Sequence, residues 1–318
     1  MKQKKSIASV VVLLTAAIIW GFAFVAQVKG GDHVGAFTFI SIRFLMGGLV
    51  LVPVYALFER NRATPPIERK KKNRRTLVGA TLAGVALFTA SSLQQFGINM
   101  TRDPGKAGFI TGLYTVLTPV FYFLIFRKKT GWNTWVGCIL ATVGLYMLCL
   151  QEGMSFEFGL GELLLFFNAV MWVTQILIVD RFVADCDPSR FSSWQFLTCG
   201  VLAGIATLIF ESPTWEGIRS AMIPLLYCGL LSTAVGFTLQ VVGQKMSRAP
   251  TTAAIIMSTE SVFAAVGGVL WNVITPAHLH VTQEIGAVGY VGCAVIFAGI
   301  ILSQISVGKK RLPKTANE

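Results

Sequence analysis

Two ten-residue stretches decide the architecture: FISIRFLMGG (Phe39–Gly48) and FSSWQFLTCG (Phe191–Gly200). Laid one on the other, a shift of 152 residues, they share Phe39/Phe191, Ser41/Ser193, Phe44/Phe196, Leu45/Leu197 and Gly48/Gly200, five identities in ten positions. The same shift lays Trp20 on Trp172. A shift of 146 matches Leu93/Leu239, Gln94/Gln240, Gly97/Gly243, Met100/Met246, Arg102/Arg248, Pro104/Pro250 and Ala107/Ala253, seven of fifteen positions. Further on, Gly137, Cys138 and Gly144 match Gly292, Cys293 and Gly299. The chain reads as one unit written twice, over 1–151 and 152–308, with a short basic tail at 309–318.

What the unit contains follows from its neutral runs. Of 318 residues, 54% are hydrophobic and 13% charged, about half the charge of a soluble domain. Uncharged stretches cover 6–28, 76–101, 107–126, 130–151, 191–210, 220–244 and 285–308, each 20 to 26 residues long. About 20 helical residues cross the hydrocarbon core of a bilayer. Three equally apolar spans, about 36–58, 158–180 and 251–272, each hold one internal charge: Arg43, Glu162 and Glu260. Runs this continuous lack the two-residue alternation of barrel strands, so the spans are helices. The expected fold is an all-α integral membrane protein of ten transmembrane helices. Because each unit holds five, an odd number, the second must cross the membrane in the opposite sense, giving two inverted five-helix repeats.

The net charge of +12 sorts by loop rather than by surface patch. Alternate loops on one side, with both termini, hold 22 basic residues, against 4 on the other (Lys29, Arg102, Lys106 and Arg219). Both termini are therefore expected in the cytoplasm, and the RKKKNRR run (Arg69–Arg75) is read as a topology signal, not a nucleic-acid site. The apolar run after the basic start is too long for the core of a secretory signal and is read as the first helix. Six scattered cysteines with no CxxC pair argue against structural disulfides and zinc.

Few polar groups remain for chemistry. Glu260 lies about nine residues into its helix, roughly 13 Å deep at 1.5 Å per residue. A carboxylate at that depth must be paired, hydrated or protonated, so it faces a polar cavity as a cation or proton site, or bonds a neighbouring helix. The 146 shift sets it opposite Tyr114. Arg43, about seven residues from a helix end, is shallow enough for partial snorkelling and is read as structural, through pairing or helix packing, with an anion-binding role as the alternative. Glu162 reads as a solvated helix end. Trp20 with Trp172, and Gln94 with Gln240, occupy matched places and are candidates for one central cavity, with lipid-facing or packed rings as the alternative for the tryptophans; Asn168 is placed on the same pathway and Gln175 adds a further amide, while all four buried amides serve equally well as interhelical glue. Pro104 and Pro250 mark matched tight turns, and Pro119 a kink inside a helix. His33, His278 and His280 fall in outer loops. No HExxH, GxSxG or P-loop occurs, so neither enzyme nor cofactor is expected.

The WGFAF run (Trp20–Phe24), IRFL (Ile42–Leu45), the AxxxxGLYTVLTPVF run (Ala107–Phe121) and STESVFAA (Ser258–Ala265) resemble the EamA type of the drug/metabolite transporter superfamily. Two features depart from it: no proline follows Glu260, and Phe126 and Trp271 lie where an acidic residue is usual. The resemblance implies a secondary transporter in the cytoplasmic (inner) membrane, with helices 1, 3, 4, 6, 8 and 9 around the cavity. It implies efflux of small metabolites such as amino acids or amphiphilic compounds by alternating access, with proton coupling through Glu260 as an open question. The expected partners are the substrate, the lipid bilayer and protons. A non-transporting membrane sensor or scaffold is the alternative.

Overall fold

In the computed structural model the described residues are 2–60, 66–149, 159–184, 186–247, 249–274 and 286–304. Every regular element among them is helical. This is what an apolar chain must do in lipid, where backbone groups can be satisfied only within the segment. In order the long helices are α1 (Lys2–Gly31), α2 (Ala36–Arg60), α3 (Pro66–Thr101), α4 (Pro104–Phe126), α5 (Trp132–Cys149), α6 (Leu160–Val183), α7 (Pro188–Phe210), α8 (Met222–Ser247), α9 (Pro250–Ile274) and α10 (Ala287–Gln304), with a short helix, Trp215–Ser220, between α7 and α8. Eight are long and apolar enough to cross a membrane, and α5 and α10 are shorter apolar helices. The protein is a multi-pass helical membrane protein.

Helix starts follow from local chemistry. The Asp103–Pro104 and Asp187–Pro188 pairs place a carboxylate cap before a proline that has no N–H to leave unpaired. Asp103 accepts from the Lys106 amide, and Asp187 from the Ser189 and Arg190 amides. At Pro66 the structure departs from the sequence reading: α3 begins ten residues before the apolar run, so basic residues assigned to a loop form its first turns. Lys, Arg and Glu are good helix formers once outside the hydrocarbon.

Two transmembrane helices are interrupted, a feature the uniform apolar pattern conceals. α4 breaks after Gly112 and resumes at Tyr114; α9 breaks after Met257 and resumes at Glu260. The interruption of α4 lies at Leu113, six residues before Pro119, which sits inside the second piece. Lacking an N–H, Pro119 cannot bond the carbonyl of Thr115, which instead accepts from the Cys138 thiol at 3.4 Å. α8 carries an eleven-residue π-helical stretch, Tyr227–Phe237, which the sequence reading does not foresee.

Residues matched by the sequence shifts meet in reciprocal contacts. In the α2–α7 pair, Ser41 Oγ donates to the Gly200 carbonyl at 3.0 Å, and Ser193 Oγ to that of Gly48 at 2.8 Å. Phe44 and Phe196 rings lie 6.0 Å apart between them. Between α4 and α9, Thr115 Oγ1 donates to the Ala254 carbonyl at 3.4 Å and Ser261 Oγ to that of Gly108 at 2.6 Å. Interhelical bonds of this kind contribute about 0.6 kcal/mol each in a bilayer. Ser41→Ala and Ser193→Ala should each lower stability by about that amount and the double variant by about twice that. Thermal unfolding of the purified variants checks this.

Candidate functional site

Four helices bring their central turns together around a narrow enclosed cavity. From α1 come Trp20, Phe24 and Gln27, successive positions on one helical face; from α2 comes Arg43; from α6, Trp172; and from α8, Phe237 and Gln240. The floor is made where the helices are interrupted: Tyr114 opens the second piece of α4 and Glu260 the second piece of α9. Gln94 reaches in from α3. The volume is about 30 Å³, room for roughly two waters, so this state is closed around a space smaller than a metabolite.

Aromatic rings build the wall. Phe237 is the hub, 4.6 Å from Trp20, 5.5 Å from Trp172 and stacked on it, and 5.8 Å from both Phe44 and Phe196. The two indoles are 6.1 Å apart. Trp20 Nε1 donates to the Ser232 carbonyl at 3.2 Å, inside the π-helical stretch. A Cβ on Gly236 would lie 2.8 Å from that nitrogen, so the close approach requires glycine.

The polar atoms give the site its chemical character. Glu260 is 4% exposed, and the Tyr114 hydroxyl stands beside its carboxyl, off hydrogen-bond geometry. Nearby hydroxyls are engaged with backbone: Ser258 with the Ile255 carbonyl and Thr259 with that of Ile256. Arg43 is 2% exposed, with its guanidinium over the Phe44 ring at 4.7 Å and the Phe39 ring at 5.7 Å. It neither snorkels nor pairs: among the described residues no carboxylate, that of Glu260 included, lies within ion-pair distance of it. The aromatic faces supply a cation site inside the protein, which removes the need to reach the interface. Five cavity residues carry a buried polar atom without a protein partner: Arg43 Nε, Trp172 Nε1, Tyr114 Oη, Gln27 Oε1 and Gln240 Oε1.

Of the residues singled out from sequence, Trp20, Gln94, Tyr114, Trp172, Gln240, Glu260 and Arg43 meet at this cavity. Asn168 does not line it; it is fully buried and donates to Thr111 Oγ1 at 2.8 Å, joining α6 to α4. Gln175 likewise serves packing, linking Gln195 and Gln240 in a chain of amides. Glu162 is not a solvated helix end: it bonds the Gly159 amide, pairs with Lys106 and is buried by that pairing. Gln27 and Phe237 were missed. Gln27 had a signal, lying seven residues after Trp20 and hence on the same face of α1. Phe237 had none, since 23 phenylalanines are spread along the chain. His278 and His280 lie outside the described residues.

The ends of α1 and α3 and the starts of α4 and α6 are joined by ion pairs. Arg102 meets Asp32 at 3.1 Å, Lys29 approaches the same carboxylate at 3.7 Å, and Lys106 pairs with Glu162. Here Asp103 is half-buried, and desolvation raises its carboxyl above the ordinary range despite bonds from the Lys106 and Gly105 amides. A raised folded-state value means that ionisation opposes folding above the ordinary aspartate range. Asp103→Asn, which keeps the cap oxygen, should melt higher than the native protein at pH 8, and the gap should close by pH 3. Melting curves at the two pH values test this.

A ten-helix membrane protein with a polar, aromatic-walled cavity at helix interruptions is built as membrane transporters are. The profile of the EamA-like transporter family matches residues 7–150 and again 159–305. The chain belongs to that family, within the drug/metabolite transporter superfamily. It is 25% identical over 297 residues to an uncharacterized transporter of Archaeoglobus fulgidus, covering 93% of this chain and 85% of that one. It is 23% identical over 232 residues to the uncharacterized transporter YoaV of Bacillus subtilis, covering 71% and 75%. A solved crystal structure superposes with a TM-score of 0.68 at 18% identity, covering 93% of this chain and 96% of that one, and shows the same fold.

Proposed function

We propose that this membrane transporter is a secondary exporter of small metabolites, amino acids or amphiphilic compounds of similar size, working by alternating access. The observation that carries this reading is the set of unpartnered polar atoms around one cavity. Buried donors and acceptors without partners are unfavourable by about 1–3 kcal/mol each, and a folded protein keeps them where something binds. The set is dipolar. Arg43 and the Trp172 N–H offer cationic and donor character to a carboxylate, while Glu260 and the Gln27 and Gln240 carbonyl oxygens suit an ammonium group. The aromatic wall suits an apolar side chain.

Reciprocal contacts between shift-matched residues support two five-helix halves, 1–151 and 152–308, related by inversion, and the excess of basic residues in alternate loops supports both termini in the cytoplasm. The breaks in α4 and α9 come at positions the 146 shift pairs, Tyr114 with Glu260, and give the halves a flexible crossing point at the cavity floor. Glu260 is the acidic residue of the cavity, faced there by Tyr114 and Arg43, so it is the group to exchange a proton for substrate as access alternates.

Reconstitution into liposomes tests the reading. Flux of amino acids or amphiphilic metabolites down their gradients is expected. No flux for any of them, in protein shown to be folded, would overturn it; a stable stoichiometric protein partner in that case would establish the sensor or scaffold alternative.

A further inference from the structure

A second and larger concavity lies apart from the transport cavity. It is a slot of about 460 Å³ between α1, α8 and α9, at the end opposite the termini. α1 separates the two spaces: Trp20, Phe24 and Gln27 face the cavity, while Phe22, Val25, Ala26 and Lys29 face the slot. The slot opens between the helices toward lipid, with Ile223 82% and Leu270 46% exposed along its edges. Its lining is mostly apolar, with Lys29, His33 and Ser220 among its polar members.

The charge on that lining is unusual for this chain. By the loop count from sequence only 4 of its 27 basic residues are expected on this face; Lys29 lines the slot and Arg219 immediately precedes the lining residue Ser220. Asp32, the acidic neighbour, is held closer by Arg102 at 3.1 Å than by Lys29 at 3.7 Å. The Lys29 ammonium also stands 6.0 Å from the Trp271 ring, an arrangement suited to the interface between headgroups and acyl chains.

We propose that this slot is a binding site for an anionic phospholipid of the leaflet opposite the termini. The acyl chain lies along Phe22, Val25 and Leu270, and the headgroup phosphate is held by Lys29 with support from Arg219. An apolar slot open to the bilayer takes an acyl chain without desolvation, and the cationic rim selects the headgroup. This site is independent of what the central cavity transports.

Native mass spectrometry of the detergent-purified protein, incubated with phosphatidylglycerol or phosphatidylcholine of the same chains, tests the proposal. One tightly retained phosphatidylglycerol is expected, with phosphatidylcholine stripped at lower collision energy. Lys29→Gln should reduce the preference about fivefold, the weight of one basic residue at a charged membrane surface. Ala26→Phe, which fills the slot, should abolish retention. Should Ala26→Phe not fold, quenching of Trp271 fluorescence by lipids brominated along the chain decides, the Trp271→Phe variant isolating its signal. Stronger quenching by the brominated phosphatidylglycerol supports the site. Equal retention of the two lipids, equal quenching by them, or a preference unchanged in Lys29→Gln overturns it.

Discussion

In liposomes carrying Glu260→Gln, an imposed pH gradient is expected to leave the substrate equilibrated, whereas the native protein concentrates it. Glu260 opens the second piece of α9 at the cavity floor, and among the described residues no basic side chain within ion-pair distance fixes its charge. A buried carboxyl with no fixed counter-charge changes protonation when its surroundings change, so under the proposed mechanism a substrate ammonium and a proton would compete for it. Each pH unit across the membrane corresponds to about 1.4 kcal/mol per proton, hence up to about tenfold accumulation by a one-proton exchanger. Glutamine keeps the size and an acceptor oxygen but exchanges no proton. The variant should retain downhill flux and lose the accumulation. If the native protein only equilibrates its substrate, or the glutamine variant still concentrates it, Glu260 is not the coupling group.

The largest loss of stability is expected from Gly144→Leu. α5 and α10 cross with their backbones almost touching: a Cβ on Gly144 would lie 2.5 Å from the Gly292 carbonyl oxygen, and one on Gly292 2.6 Å from that of Gly144. Gly137 and Gly299 repeat the arrangement two turns away, at 2.7 and 2.8 Å. In lipid such contacts replace the hydrophobic driving force with close packing of backbones, which only small residues permit. The obstruction is backbone and cannot rotate aside, so the helices must separate along their length. A loss of about 3 kcal/mol or more is expected, the upper range for overpacking. Gly286→Ala is the control, because a Cβ there meets nothing within 4 Å. Equal melting temperatures for Gly144→Leu and the native protein would show that the crossing is looser than described.

Arg43 shows where sequence reading stops. Its depth along α2 was legible, and depth alone suggested snorkelling toward the interface. Which way the side chain turns depends on the rings of Phe39 and Phe44 and on the thiols of Cys199 and Cys228, brought from α7 and α8. Asn168 shows the converse: the same polarity that marked the cavity residues marked an amide already bonded to Thr111.

By itself the sequence determined the number of helices, their approximate limits and the matched positions of Trp20 with Trp172 and Tyr114 with Glu260. Those properties are local or periodic: twenty uncharged residues must form a helix in lipid, and a duplicated segment keeps its spacing. The tertiary structure alone decided where α4 and α9 break, that α8 winds wider over Tyr227–Phe237, and which polar atoms remain without partners. At these interruptions the two helices are tied to each other, the Thr115 hydroxyl donating to the Ala254 carbonyl and the Ser261 hydroxyl to that of Gly108 across the α4–α9 crossing. Those partners lie 139 and 153 residues away along the chain, beyond the reach of any local pattern.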